Sequence, residues 1–272
     1  MGLPTAAEIR AVAFDLDGSL ARADHRVSPR ALRALQELEA RGVPPIIVTG
    51  RSVAAARVPW GQAGLSAPVI SCNGAVIEDP ASGEHLVEHH LPIEVVSSIL
   101  DVAERVDVTP TLWTPTRIHA SRRDASVALV EALNNETVAV GPLARVASHE
   151  PVVKAMLGGS KERLDAMTGF IVGEVPWMMR SLNEFFETTP PGVSKAEALR
   201  LVLDRLGVPA EACLGVGDGD TDVEWLTSIG MAVAPANARA TVRDVVARVI
   251  GHHDEDGVAA FLEEFFALDG RV

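Results

Sequence analysis

An apolar run, Val12-Ala13-Phe14, leads straight into Asp15-Leu16-Asp17-Gly18-Ser19-Leu20, and some two hundred residues later a second acidic loop follows, Gly217-Asp218-Gly219-Asp220-Thr221-Asp222. Carboxylates two residues apart at the end of an apolar strand cannot be core residues, because a desolvated, unpaired carboxylate costs several kcal/mol. A cation is therefore expected among them. A hard divalent ion such as Mg2+, which takes a few carboxylates and keeps positions open for phosphate oxygens, meets that need. Strands that end in polar, glycine-containing loops are also the pattern of an open parallel sheet, whose sites gather at the carboxyl ends of its strands.

The rest of the composition narrows the partner. With 272 residues, 47% hydrophobic and 22% charged, the chain is long enough for one large or two modest domains. Its 24 Lys plus Arg against 37 Asp plus Glu give a formal charge of −13, which argues against nucleic acid and against an anionic membrane as partner. Any phosphate must be attracted locally. The start lacks a basic and an apolar region of the secretory kind, no apolar stretch reaches membrane-span length, and Cys72 and Cys213 have no CxxC spacing. A cytoplasmic location is expected; the oligomeric state is left open.

Short β-rich runs alternate with helical patterns. Val12–Phe14 is a strand, Ser28-Pro29 an N-cap with Pro at the first helical position, and Ala31, Leu32, Leu35 and Leu38 recur at helical spacing up to Gly42. Strands at 45–48 and 68–71 end at Thr49-Gly50-Arg51 and Asn73-Gly74. From about residue 83 to 189 helices (92–106, 123–134) and strand-like pieces (109–113, 152–157, 177–182) end in no acidic or glycine-rich loop. The first pattern then resumes with helices at 194–206, 222–228 and 257–266 and strands at 212–216 and 231–234. The expectation is an α/β chain: a doubly wound parallel-sheet core from residues 1–82 and 190–272, and an inserted α/β cap at 83–189.

Several ordered motifs carry a family resemblance: the Asp15–Leu20 string, Thr49-Gly50-Arg51, Asn73-Gly74-Ala75, Gly192-Val193-Ser194-Lys195, the Gly217–Asp222 loop, Gly230–Ala234 with Asn237-Ala238, and Asp256-Gly257-Val258-Ala259. Together they resemble the haloacid dehalogenase superfamily, in its Cof-type (subfamily IIB) sugar-phosphatase-like branch. The resemblance implies a Rossmann-like core and a Mg2+-dependent phosphatase acting on a small phosphorylated metabolite. In that reading Asp15 is the nucleophile that becomes phosphorylated, and Asp17 is the acid and later the base, its backbone carbonyl binding metal. Asp218 is the second carboxylate ligand, and Asp222 either a ligand through water or the group that orients Asp218. Thr49 with the Gly50 backbone, Lys195 and Asn73 are implied as phosphate or substrate contacts. Arg51 reads equally as a substrate contact or as a solvated or structural ion pair. Thr221 departs from the family, which usually has Asn there, and keeps less reach for positioning substrate. Two alternatives share these residues: a phosphosugar mutase using the same phosphorylated aspartate, and a non-catalytic phospho-ligand-binding protein. A receiver domain would be about half as long.

Other residues read as structural. His85, His89 and His90 are expected to be surface histidines, since no Cys or carboxylate stands at ligand spacing, and His252-His253, in the polar stretch before Asp256-Gly257, are expected to be so too. Trp113, Trp177, Met178 and Met179 are expected in the core of the insert. Gly215, Gly217 and Gly219 miss the dinucleotide-binding spacing, and Asp218 would repel a pyrophosphate.

Overall fold

A computed structural model describes residues 3–269. The chain divides into two compact units: one made of the described residues up to Gly50, Ala56–Leu86 and those from Ser194 on, the other of Arg51–Ala55 and Val87–Val193.

In the first unit the opening strand β1 (Ala11–Phe14) is fully buried, because both its faces are covered, as the unbroken apolar run requires. Helix α1 (Pro29–Ala40) follows; Ser28 caps it by accepting from the Ala31 N–H, and its buried stripe includes Ala31, Ala34, Leu35 and Leu38. Then come β2 (Pro45–Ile47), α2 (Val53–Ala63), β3 (Val69–Ser71) and β4 (Val76–Asp79), with β5 (Glu84–Glu88) third in the small sheet β3-β4-β5. Sequence reasoning misses α2, which carries Pro59 in its interior and has no marked apolar stripe.

The insert carries α3 (Ile93–Arg105), β6 (Thr109–Trp113), β7 (Ile118–Ala120), α4 (Ala125–Asn134), β8 (Ala139–Val140), α5 (Leu143–His149), β9 (Lys154–Gly158), α6 (Lys161–Glu174), β10 (Met179–Leu182) and β11 (Phe185–Thr188). Its strands form one sheet in the order β10-β11-β9-β6-β7-β8, antiparallel except for β7 beside β8. Val96, Ile99 and Val102 of α3, and Leu164 and Ile171 of α6, pack with Leu112, Ala155, Leu157 and Phe186 of the sheet. Helix α6 escaped the sequence reading because few of its fourteen residues are buried and two of them are glycines. Trp113 and Met178 are core residues as expected, but Trp177, just before the edge strand β10, is 45% exposed and Met179, the first residue of that strand, 60%.

The chain returns to the first unit with α7 (Lys195–Leu206), β12 (Cys213–Val216), α8 (Val223–Leu226), β13 (Met231–Pro235), α9 (Ala240–Arg243), β14 (Arg248–Ile250) and α10 (Gly257–Phe266). The main sheet is all parallel, in the order β14-β13-β12-β1-β2, and a bridge between Val48 and Ile70 sets β3 beside β2. β1 thus lies between β2 and β12, and the loops after all three open on the same edge of the sheet. The helix expected over 222–228 is shorter, a 3-10 turn at Asp220–Asp222 followed by α8. Among the described residues no helix is long and apolar enough to cross a membrane.

Candidate active site

The Asp15 N–H continues the β1 to β12 ladder onto the Val216 carbonyl at 2.9 Å, which fixes the first carboxylate at the mouth of the sheet. Lys195, the first residue of α7 and itself 5% exposed, reaches across and donates to Asp15 Oδ1 at 2.6 Å and to Asp222 Oδ1 at 2.8 Å. The Ser194 cap, whose hydroxyl accepts from the Glu197 N–H, holds the helix start that aims this side chain.

Asp222 is 1% exposed and has both oxygens occupied. Oδ1 accepts from Lys195 and from the Trp225 indole N–H at 3.0 Å, while Oδ2 accepts from the backbone N–H groups of Asp218 and Gly219 at 3.1 and 3.0 Å. It therefore braces the loop that carries Asp218. Asp218 in turn accepts from the Ser19 hydroxyl at 2.9 Å. A Cβ on Gly18, whose φ is +78°, would lie 2.4 Å from Asp218 Oδ2; only glycine lets the first acidic loop approach the second this closely. Ligand oxygens of Asp15, Asp218 and Asp222 lie within 4.8 Å of one another.

Asp17 stands outside that trio, with 38% of its side chain exposed and its Oδ1 3.3 Å from His25 Nδ1. His25 has no signal in the sequence. Thr49 is buried, with its N–H on the Ile70 carbonyl and its own carbonyl accepting from the Asn73 N–H at 3.0 Å. Gly50 lies against the Asn73 carboxamide. Cys72, Asn73 and Gly74 all have positive φ, and a Cβ on Gly74 would meet the Ser194 carbonyl at 2.4 Å, so this turn touches both the Thr49-Gly50 loop and the start of α7. Arg51 is 8% exposed, which removes the solvated reading. Thr221 is exposed, as is its neighbour Asp220, which pairs with Arg239 and Thr241. The insert has its own buried pair, Lys154 to Glu187 at 2.7 Å, with the ammonium 4.7 Å from the centre of the Trp113 ring.

Electrostatics set the chemistry of the cluster. Burial, reinforced by the charges of Asp222 and Asp218, holds the Asp15 carboxyl well above the usual carboxylate range against the pull of Lys195. Burial and the Asp222 charge push Asp218 up to about 6. Burial disfavours the Lys195 ammonium, but Asp15 and Asp222 outweigh it and keep Lys195 protonated. With all three carboxyls ionised, they face one ammonium and leave two negative charges that a divalent cation would balance. The donors are all hard oxygens, which fits Mg2+ and not a thiophilic metal.

Histidines 252 and 253 were expected on the surface, but His253 is only 12% exposed and its N–H groups point inward. Its backbone N–H donates to Asn237 Oδ1 and its ring Nδ1 to the Ala21 carbonyl at 2.9 Å. The His253 contact could not be found from the sequence, because it joins loops more than two hundred residues apart; the Trp225 bond to Asp222 is local, three residues on, and depends on the 3-10 turn at Asp220–Asp222.

A model of the haloacid dehalogenase-like hydrolase family matches residues 12–262. A 5-amino-6-(5-phospho-D-ribitylamino)uracil phosphatase of Bacillus subtilis (strain 168), YitU, is 29% identical over 270 residues, covering 94% of this chain and 97% of that protein. A haloacid dehalogenase-like hydrolase from Bacteroides thetaiotaomicron superposes with a TM-score of 0.87 at 24% identity, over 95% of this chain and all of that one. The subclass IIB sugar phosphatase BT4131 does so with a TM-score of 0.79 at 21% identity, over 95% and 100%. These likenesses show a shared fold over nearly the whole chain.

Proposed function

From the premise that the chain belongs to the haloacid dehalogenase-like hydrolases, we propose that it hydrolyses a small phosphomonoester through a phosphorylated Asp15. The observation that carries the reading is the Asp15–Lys195–Asp222 arrangement: a buried carboxylate at the end of the central strand, with one oxygen held at 2.6 Å by an ammonium that Asp222 fixes from behind. That leaves the other Asp15 oxygen to attack. The named activity of the Bacillus subtilis relative, a phosphatase of a ribitylamino phosphate, supports the class of substrate.

In the first step an Asp15 oxygen forms a bond to phosphorus as the bond to the ester oxygen breaks, and Asp17 delivers a proton to that leaving oxygen. In the second, Asp17 takes a proton from a water that attacks phosphorus, releasing inorganic phosphate and regenerating Asp15. Lys195 and the Thr49 hydroxyl, with the Gly50 backbone, would meet the charge on the phosphoryl oxygens. Asp15, Asp218 and the Asp17 carbonyl would hold Mg2+, whose contribution is to neutralise phosphoryl charge. Asp222, with both oxygens already bonded, is proposed to orient Asp218 and Lys195 and not to bind metal directly. Selection among phosphorylated metabolites is proposed for the inserted unit, with Arg51, Asn73 and Thr221 as lesser contacts.

Hydrolysis of p-nitrophenyl phosphate, dependent on Mg2+, tests the proposal. Asp15→Asn should lower turnover by at least about a thousandfold, the scale for losing a covalent nucleophile; a variant that keeps a tenth of wild-type activity would sink the assignment.

A further inference from the structure

Two motifs have no part in the chemistry above: Asn237-Ala238 after β13, and the approach to Asp256-Gly257 before α10. In the folded chain they meet on the same stretch of backbone, the returning limb of the first acidic loop. Asn237 Nδ2 donates to the Gly18 carbonyl at 2.7 Å, and its Oδ1 accepts from the His253 N–H at 3.3 Å. His253 Nδ1 donates to the Ala21 carbonyl at 2.9 Å. The Ala23 N–H donates to Asp254 Oδ1 at 2.7 Å, and Arg22 grips Asp256 through Nε and Nη2 at 3.2 and 2.6 Å. Beyond these contacts the limb closes on itself, with Ala21 bridged to Val27.

We propose that Asn237, His253, Asp254 and Asp256 are positioning residues that hold residues 18–23 from behind, so that Gly18 and Ser19 stay pressed against Asp218. The geometry gives this a direct route to the site. Gly18 touches the Asp218 carboxylate, Ser19 donates to it, and the Asp218 carbonyl accepts from the N–H of Arg239, two residues beyond Asn237. One side chain, Asn237, therefore ties the first acidic loop to the segment that carries the second loop's anchor. Asp15 and Asp17 lie on the other limb of the same turn; the Leu20 N–H donates to the Asp15 carbonyl, so a shift of residues 18–23 carries the nucleophile with it. Displacements of about 1 Å from perturbations outside the reacting groups lower rates by as much as about a hundredfold.

The consequence for catalysis rests on the reading of Asp15 as nucleophile, whereas the clamp itself does not. Hydrogen–deuterium exchange of the full-length protein, followed on peptides spanning 15–23, tests the clamp without any turnover. Asn237→Ala and His253→Ala should each speed exchange there by about fivefold, the worth of one lost hydrogen bond, while strands β12 and β13 keep wild-type exchange. Calorimetric Mg2+ affinity should weaken alongside. His253→Asn, whose amide places a donor where Nδ1 stands, should restore both. With p-nitrophenyl phosphate, kcat should fall about tenfold in the alanine variants with KM within about twofold, the pattern of a displaced nucleophile and not of a lost binding contact. Unchanged exchange at 15–23 in both alanine variants, or an equal increase across the whole core, would overturn the clamp. If Asp15→Asn keeps its activity while the local exchange changes appear, the phosphatase reading fails and the clamp stands.

Discussion

In the absence of metal, Asp218→Asn is expected to stabilise the protein near neutral pH and to change nothing in acid. Burial, together with the Asp222 charge, lifts the Asp218 carboxyl from 3.8 to about 6, in spite of the Ser19 hydrogen bond and the charges of Lys195 and His253. A carboxyl raised on folding binds its proton more tightly in the native state. Its contribution therefore favours folding fully below about pH 4 and is lost as pH rises through about 6. At 1.36 kcal/mol per pKa unit the gap corresponds to about 3 kcal/mol, and partial solvent access reduces that to about 2. For a chain of this size such a difference moves Tm by about 4–8 °C. Thermal unfolding in EDTA from about pH 4 to about pH 8 gives the test: the Tm of the variant minus that of wild type should climb by this amount across the window. Saturating Mg2+ should then stabilise wild type by about 2.7 kcal/mol at a hundredfold excess over Kd and leave the variant nearly unmoved, reversing their order. A pH-independent difference, or a wild type that is the more stable of the two at pH 8 without metal, would refute the view of the cluster as a charge set awaiting a cation.

Two further substitutions probe the same architecture. Lys195→Met strips Asp15 and Asp222 of their shared ammonium and should cost about 3–5 kcal/mol at neutral pH by urea denaturation. That loss should shrink on acidification, because burial already holds Asp15 well above the usual carboxylate range and it gains its proton early. Gly74→Ala places a Cβ 2.4 Å from the Ser194 carbonyl at a φ of +99°; a loss of about 2 kcal/mol is expected, with turnover falling further than stability alone explains because α7 carries Lys195.

The acidic loops were legible because burial forbids unpaired carboxylates at the end of an apolar strand, and α1 because Ser28-Pro29 and a regular apolar stripe announce it. The core's alternation of strand and helix followed from the same periodicity. Helices α2 and α6 were not, since an internal proline in one and a sparse buried face in the other erase the period that sequence reasoning depends on. Arg51 gave an even choice between solvent and site until its burial was seen. The second layer of the site stayed hidden for a different reason. Trp225 against Asp222 and His25 beside Asp17, only three and eight residues apart, depend on the irregular conformation of the loops that carry them, whereas Asn237 with His253 behind Gly18 are ordinary residues until positions more than two hundred apart are brought together.

That separation also governs the order in which the molecule can be made. β1 pairs with β12 through Ala11–Phe14 against Cys213–Val216, so the strand that leads into Asp15 emerges from the ribosome about two hundred residues ahead of one of its two sheet partners. At about 5–20 residues per second the delay is about 10–40 s, during which four apolar residues destined for complete burial have only β2 beside them. The whole insert is synthesised within that interval. The main sheet is thus completed only after Cys213, and a ribosome that stalls before that residue releases a product with the Asp15 strand but without the loop that carries Asp218 and Asp222.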